Sequence, residues 1–118
     1  MNILIVDDSK ILRNSLKLFI TSKIDEARVH EAQDVKHALK CIENALFDVI
    51  ILDILLPDGT GFEVLEIIRN RNLGSKVIIL SNYATAKFRQ KAAEKGADHF
   101  FDKSSDYEDL VHLIRNSR

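Results

Sequence analysis

The stretch ILIVDD at residues 3–8 decides the fold, because four apolar residues follow one another without interruption and end in two carboxylates. Residues 49–52 and residues 77–80 both read VIIL and have the same character. Short runs rich in β-branched residues, with no polar residue between them, are typical of strands that helices cover on both faces. The three runs therefore predict the central strands of a parallel sheet.

Weaker strands and amphipathic helices surround these runs. Residues 27–32 and 98–101 are more polar and predict strands nearer the sheet edges. Leu12, Leu16 and Ile20 share one helical face after the first run. The later helices are expected to begin near Asp34, Thr60, Ala84 and Ser105. This alternation predicts an α/β fold with a single doubly wound, five-stranded parallel sheet, the flavodoxin-like order 2-1-3-4-5, and five helices on both faces.

Length and charge limit the classes of function. A chain of 118 residues predicts one domain over residues 1–118. Seventeen basic and eighteen acidic residues give a net charge of -1, so we expect no direct nucleic-acid binding by this chain. The apolar runs are too short to span a bilayer and the N-terminus lacks a signal-peptide pattern, so we expect a cytoplasmic protein without a membrane partner.

Polar residues follow four of the five predicted strands. Asp7 and Asp8 follow the first predicted strand, Asp53 follows the third, Ser81 follows the fourth, and Lys103 follows the fifth. Ligands of doubly wound sheets bind outside the carboxyl ends of the strands, at the point where the strand order reverses. These side chains are therefore expected to converge on one cleft.

The predicted cluster favours a metal ion and phosphoryl chemistry. Asp7, Asp8 and Asp53 would repel one another in a cleft unless a cation joined them, and carboxylate oxygens suit Mg²⁺. No His or Cys lies in the cluster to favour zinc. A carboxylate in this setting is a candidate nucleophile for aspartyl phosphate formation, and Asp53 is best placed. Lys103 and Mg²⁺ would balance the phosphoryl charge, and Ser81 would add a hydroxyl donor.

Four motifs resemble one protein family. ILIVDDS at residues 3–9, DILLPDGTG at residues 53–61, Ser81 and FFDK at residues 100–103 resemble the receiver domain of two-component response regulators, of the chemotaxis-regulator type. The resemblance covers essentially the whole chain. It implies a signalling phosphoacceptor, which catalyses only its own phosphorylation and dephosphorylation. Asp53 would take the phosphoryl group from the phosphohistidine of a histidine kinase or phosphotransfer protein.

The resemblance also implies metal ligands and a conformational switch. Mg²⁺ would bind Asp8 directly, Asp7 through water, Asp53, and the backbone carbonyl of Leu55. Lys103 would pair with the phosphoryl group. The family's switch residues correspond to Ser81 and Phe100.

The implied output surface consists of the fourth helix, the fifth strand and the fifth helix. This face would control an attached output domain or a downstream protein, with transcription as one output, or would form a homodimer.

Two other functions compete with this interpretation. Hydrolases of the haloacid dehalogenase superfamily also use an aspartyl nucleophile with Mg²⁺, but they need a second acid where Leu55 stands. A degenerate receiver would act as a protein-binding module without phosphorylation. One departure from the family bears on the local backbone: Ser104 replaces the proline that usually follows the lysine through a cis peptide bond.

Overall fold

Five parallel strands form the central sheet. A computed structural model gives the structure of residues 1–105 and 107–117. Its sheet strands are β1 (Asn2–Val6), β2 (Arg28–Ala32), β3 (Val49–Leu52), β4 (Lys76–Ser81) and β5 (His99–Asp102). They are hydrogen-bonded in the order β2-β1-β3-β4-β5. The predicted α/β fold and strand order are confirmed, and the two more polar strands, β2 and β5, form the edges.

Five helices connect and flank the strands: α1 (Lys10–Lys23), α2 (Val35–Asn44), α3 (Gly61–Asn70), α4 (Ala86–Glu94) and α5 (Tyr107–Arg115). Ser9 and Asp34 cap α1 and α2, each accepting a bond from the backbone N–H three residues later. Helix α4 begins two residues later than predicted because Thr85 caps it, accepting from the Phe88 N–H. Helix α5, expected to begin near Ser105, is described from Tyr107.

The sheet separates two hydrophobic layers, which explains why its central strands do not alternate apolar and polar residues. In β1, Leu4 and Val6 pack into the layer that contains α2 and α3, whereas Ile3 and Ile5 pack into the layer of α1 and α5. All four side chains are buried. Since both faces of the strand are covered by helices, a polar residue within it would lose its hydration.

The segment after β3 forms a short hairpin that leads into α3. Residues 55–56 pair with residues 59–60 in a short antiparallel ladder, in which Leu55 lies opposite Thr60. Pro57 and Asp58 form its tip, and α3 follows directly. The Glu63 carboxylate accepts from the Thr60 N–H at 3.1 Å, which satisfies one donor at the start of α3.

None of the helices in residues 1–105 and 107–117 is both long and apolar enough to cross a membrane. The single domain over residues 1–118 stays a prediction, and Asp106 and Arg118 within it lie outside the described residues.

Candidate functional site

Three carboxylates meet where the strand order reverses. Asp7 follows β1 and Asp53 follows β3, and the Asp53 N–H donates to the Val6 carbonyl at 2.9 Å, which extends the pairing of these strands. One oxygen each of Asp7, Asp8 and Asp53 lies within 4.8 Å of the other two. Asp7 and Asp53 are buried, whereas Asp8 is exposed. The predicted convergence of these three residues is therefore observed.

The ammonium group of Lys103 joins two of these carboxylates. Its Nζ lies 2.7 Å from Oδ2 of Asp7 and 2.9 Å from Oδ2 of Asp53. The backbone N–H of Lys103 donates to the Ser81 carbonyl at 2.9 Å, so the end of β4 holds the base of this side chain. Burial alone would lower the pKa of Lys103, but its hydrogen bonds to Asp7 and Asp53, together with their charges, raise it. The group therefore stays a cation.

The environment of Asp53 opposes its ionisation in part. Burial raises the pKa of the Asp53 carboxyl, and the charge of Asp7 adds to this effect. The hydrogen bond and charge of Lys103 act in the opposite direction, as does the Ile54 N–H, which donates to Oδ1 of Asp53 at 2.7 Å. Desolvation prevails, and the pKa of Asp53 lies above its ordinary value.

The donor set matches a hard divalent cation. Among the described residues, the three carboxylates of the cluster and the Lys103 ammonium together carry a formal charge of -2. All three side chains offer oxygen, and Asp8 is open to water. Mg²⁺ requires oxygen ligands and usually keeps several waters beside one or two carboxylates. The residues present therefore fit Mg²⁺.

The two predicted switch residues lie on neighbouring strands. Ser81 ends β4, is fully buried, and accepts from the Tyr83 N–H through its hydroxyl at 3.1 Å, so that its own proton remains available for donation. Phe100 lies on β5 and is half-buried. The guanidinium of Arg89 in α4 lies 4.8 Å from the centre of the Phe100 ring and donates to the Phe100 carbonyl at 3.4 Å.

The site and the fold agree with a comparison against known families. The family model of the response regulator receiver domain matches residues 3–115. This chain belongs to that family. The receiver shares 28% identity with the nitrate/nitrite response regulator protein NarL of Escherichia coli (strain K12), over 98% of its own length and 53% of that protein. This chain spans about a third to about half of the length of the curated relatives that it matches.

Solved structures give the same result. A CheY-like receiver domain protein from Methanospirillum hungatei JF-1 superposes on this receiver with a TM-score of 0.89 and 31% identity, covering 98% of this chain and 90% of that one. The response regulator protein TrrA from Thermotoga maritima superposes with a TM-score of 0.86 and 27% identity, covering 99% and 98%. The TrrA structure is a complex with Mg²⁺ and BeF.

Ser104 closes the loop after the receiver's lysine without a cis peptide bond. The described residues contain no cis peptide, and the Lys103–Ser104 bond is trans. The backbone N–H of Ser104 donates to Oδ1 of Asp102 at 2.9 Å, and its hydroxyl donates to the same oxygen at 2.8 Å. These bonds lower the pKa of Asp102. Two hydrogen bonds from Ser104 to Asp102 thus close this turn, at the position where the resemblance leads us to expect proline.

Asp58 has a structural function that the sequence did not reveal. Its carboxylate accepts from the backbone N–H groups of Val35 at 2.8 Å and Lys36 at 3.0 Å, the first residues of α2. These bonds tie the loop that carries Leu55 to another helix. The motif PDG predicts a turn, but a contact across more than twenty residues depends on the chain's path in space.

Proposed function

We propose that this receiver accepts a phosphoryl group on Asp53 from the phosphohistidine of a histidine kinase or phosphotransfer protein. The observation that carries the proposal is the Lys103 ammonium, which bridges Asp7 and Asp53 at 2.7 and 2.9 Å beside the three-carboxylate cluster. An acid nucleophile and a cation for the transferred group thus lie in contact. The family membership of residues 3–115 supports this function.

The transfer replaces one bond to phosphorus with another. A carboxylate oxygen of Asp53 attacks the phosphorus atom and forms a P–O bond while the P–N bond to the donor imidazole breaks. The electron pair of the broken bond stays on the imidazole nitrogen, which takes a proton from solvent water. Lys103 stabilises the negative charge of the phosphoryl oxygens through its ammonium group. The burial of Asp53 lowers the local dielectric and strengthens this attraction.

Asp7, Asp8, Asp53 and the backbone carbonyl of Leu55 would hold Mg²⁺. When bound, the ion would supply positive charge that offsets the negative charge of the phosphoryl oxygens. The formal charge of -2 on the cluster and Lys103 together and the exposure of Asp8 support this ligand set. The TrrA structure is a complex with Mg²⁺ and BeF, and this relation supports Mg²⁺ binding by this receiver.

The phosphoryl group would change the packing of α4 and β5. A group with a charge near -2 adds three strong hydrogen-bond acceptors to the cleft. The Ser81 hydroxyl would donate to one of them, and this movement would break its bond to the Tyr83 N–H. The backbone leading into α4 would then shift, and the ring of Phe100 would repack.

The surface formed by α4, β5 and α5 is the proposed output face. The partner that binds this face is an attached output domain, a downstream protein or a second copy of this chain. Control of transcription is one output that the relatives support, since CusR of Escherichia coli (strain K12), 30% identical, is a transcriptional regulatory protein of which this chain spans 50%.

Intact mass spectrometry tests the phosphoacceptor proposal. The protein is incubated with Mg²⁺ and a small acyl phosphate donor, with Asp53→Asn as the site variant and Asp25→Asn as a matched control at an exposed acid far from the cluster. We expect a gain of one phosphoryl group, about 80 Da, in the wild type and in Asp25→Asn. EDTA should abolish the gain, and Asp53→Asn should show none.

The opposite results are equally informative. An adduct that persists in Asp53→Asn would move the nucleophile elsewhere. If the wild type gains no mass and also does not bind beryllofluoride, the phosphoacceptor proposal fails and the binding-module function replaces it.

A further inference from the structure

Arg13 in α1 contacts the acid cluster through the backbone rather than through a carboxylate. Its Nη1 donates to the carbonyl oxygen of Asp7 at 2.6 Å, and its Nε donates to Oε1 of Glu31 in β2 at 3.1 Å. The Arg13 side chain is only 11% exposed, so these bonds are shielded from water. The family motifs quoted above include neither Arg13 nor Glu31.

The carbonyl that Arg13 holds belongs to the peptide unit between Asp7 and Asp8. A peptide unit is planar, so fixing its carbonyl oxygen also fixes the direction in which the chain enters Asp8. Asp7 has other restraints: its N–H donates to the Ala32 carbonyl at 3.1 Å, and its carboxylate accepts from Ser9 and Lys103. The Asp8 side chain is exposed and starts from the Cα atom that ends this peptide unit, so the bond from Arg13 restrains the point from which its carboxylate extends.

Glu31 explains why Arg13 does not turn toward the cluster. A guanidinium beside three carboxylates would pair with one of them and compete with a metal ion. Glu31 supplies the counter-charge instead, and it also lies 3.9 Å from the ammonium of Lys17. Arg13 therefore keeps its bond to the Asp7 carbonyl and leaves the carboxylates to other ligands.

We propose that Arg13, oriented by Glu31, is a positioning residue for the magnesium site, because it fixes the Asp7–Asp8 peptide unit and so places the Asp8 carboxylate. This inference rests on the proposed function, in which Asp8 is a metal ligand. Partners that orient metal ligands typically contribute ten- to hundredfold to metal affinity.

Calorimetric titration of the folded, unphosphorylated protein with MgCl₂ tests the inference. We expect Arg13→Ala to bind Mg²⁺ roughly tenfold more weakly than the wild type. Coulomb's law alone predicts the opposite sign, since removing a cation near the carboxylates should strengthen cation binding. Lys17→Ala is the matched control, because it removes one positive charge that also faces Glu31 but does not contact Asp7.

Arg13→Lys separates geometry from charge. A lysine keeps the positive charge but lacks the planar fork that reaches both the Asp7 carbonyl and Glu31. We expect its Mg²⁺ affinity to lie between those of the wild type and Arg13→Ala. If Arg13→Ala does not fold, the Mg²⁺ affinity of Arg13→Lys is compared with those of the wild type and Lys17→Ala. Weaker Mg²⁺ binding by Arg13→Lys, with unchanged binding by Lys17→Ala, supports the inference.

Two results would overturn the inference, and they differ. Equal or tighter Mg²⁺ binding by Arg13→Ala, or by Arg13→Lys where the alanine variant is unfolded, refutes the positioning role while the wild-type titration leaves the proposed function intact. A wild type that shows no Mg²⁺ binding refutes the magnesium part of the proposed function, and the inference fails with it.

Discussion

A Cβ atom on Gly61 would lie 2.1 Å from the backbone carbonyl oxygen of Asp53 and 3.1 Å from Cγ of Leu52. Gly61 is buried at the first position of α3, and its N–H donates to the Ile54 carbonyl at 2.7 Å. The clash is with backbone, which cannot rotate away as the end of a side chain can. The close approach of α3 to the residue that carries the proposed nucleophile thus requires glycine here.

We therefore predict that Gly61→Ala lowers the free energy of unfolding by about 2 kcal/mol or more, the range of overpacked cores. Glycine-to-alanine changes in helices ordinarily stabilise by up to about 1 kcal/mol, so the expected sign is reversed. Urea denaturation measures the effect. Gly74→Ala is the control, since a Cβ there meets no atom within 4 Å, and its effect should stay within about 0.5 kcal/mol. Similar values for both variants would contradict the steric explanation.

The sequence revealed the charged residues of the site better than the residues that support them. Asp7, Asp53 and Lys103 could be predicted because each directly follows a strand of the sheet, and the carboxyl ends of parallel strands lie on the same side of it. Arg13 and Asp58 could not, because their partners come from β2 and from the start of α2. Such contacts depend on side-chain reach and chain path, which periodicity does not encode.

At the scale of elements, Asp58 connects the loop before α3 to the N-terminus of α2. The hydrogen bonds from Val35 and Lys36 lower the pKa of Asp58 below its ordinary value. A carboxyl group whose pKa is lowered by folding stabilises the protein at pH values above its unfolded pKa. That stabilisation is lost as the pH falls through the folded pKa. The hydrogen bonds between Asp58 and the start of α2 therefore stabilise the protein at neutral pH, and this stabilisation is lost in acid.

Asp58→Asn should therefore be less stable than the wild type at pH 7, and the difference should shrink as the pH falls below about 4. Urea midpoints at pH 7, 5 and 3.5 measure this convergence. Asp25→Asn, at an exposed acid, serves as the reference for the general effect of removing one charge. A stability difference that stays constant over this pH range would show that the Asp58 charge is not the cause.

Helix α4 is held more firmly at its end than at its start. Ala92 is its one buried residue. Beyond its C-terminus, the Arg69 guanidinium donates to the Gly96 carbonyl at 2.9 Å and pairs with Asp98 at the same distance. Toward its start, Arg89 makes longer contacts of 3.4 Å with the carbonyls of Ala84 and Phe100. The apolar stripe of this helix is thus thin, and the contacts of Arg69 stabilise the turn that follows it.

Arg89→Ala should loosen the start of α4 before its end. The variant removes the contacts to Ala84 and Phe100, each weak because the guanidinium is exposed. We expect faster amide hydrogen exchange from Tyr83 to Arg89, by severalfold, with unchanged exchange in β1 and β3. Lys87→Ala removes a charge from the same helix and should leave exchange unchanged. Uniform acceleration over the whole sheet would mean global destabilisation, not a local release.

At the scale of the whole molecule, negative charge is concentrated at the carboxyl ends of the central strands, although the chain as a whole is nearly neutral. The net charge is -1, yet the acid cluster and Lys103 together carry a formal charge of -2. The strand order could be predicted because five strand–helix units and the right-handed crossover leave few arrangements. The fold therefore holds like charges close together at the site, and a bound cation would reduce the repulsion between them.

Mg²⁺ should accordingly stabilise the whole domain against unfolding. A ligand that binds only the folded state adds stability that grows with concentration, about 2.7 kcal/mol at one hundred times its Kd, which corresponds to several degrees in Tm for a domain of this size. Thermal unfolding in MgCl₂ is compared with NaCl of equal ionic strength, because salt alone screens repulsion. Asp8→Asn removes one charge and leaves the Lys103 bridge between Asp7 and Asp53 in place. We expect this variant to lose at least half of the Mg²⁺-dependent gain in Tm while its Tm in EDTA stays equal or rises. An equal gain in both proteins would mean that Mg²⁺ stabilises the fold at another place, and that the cluster is not its site.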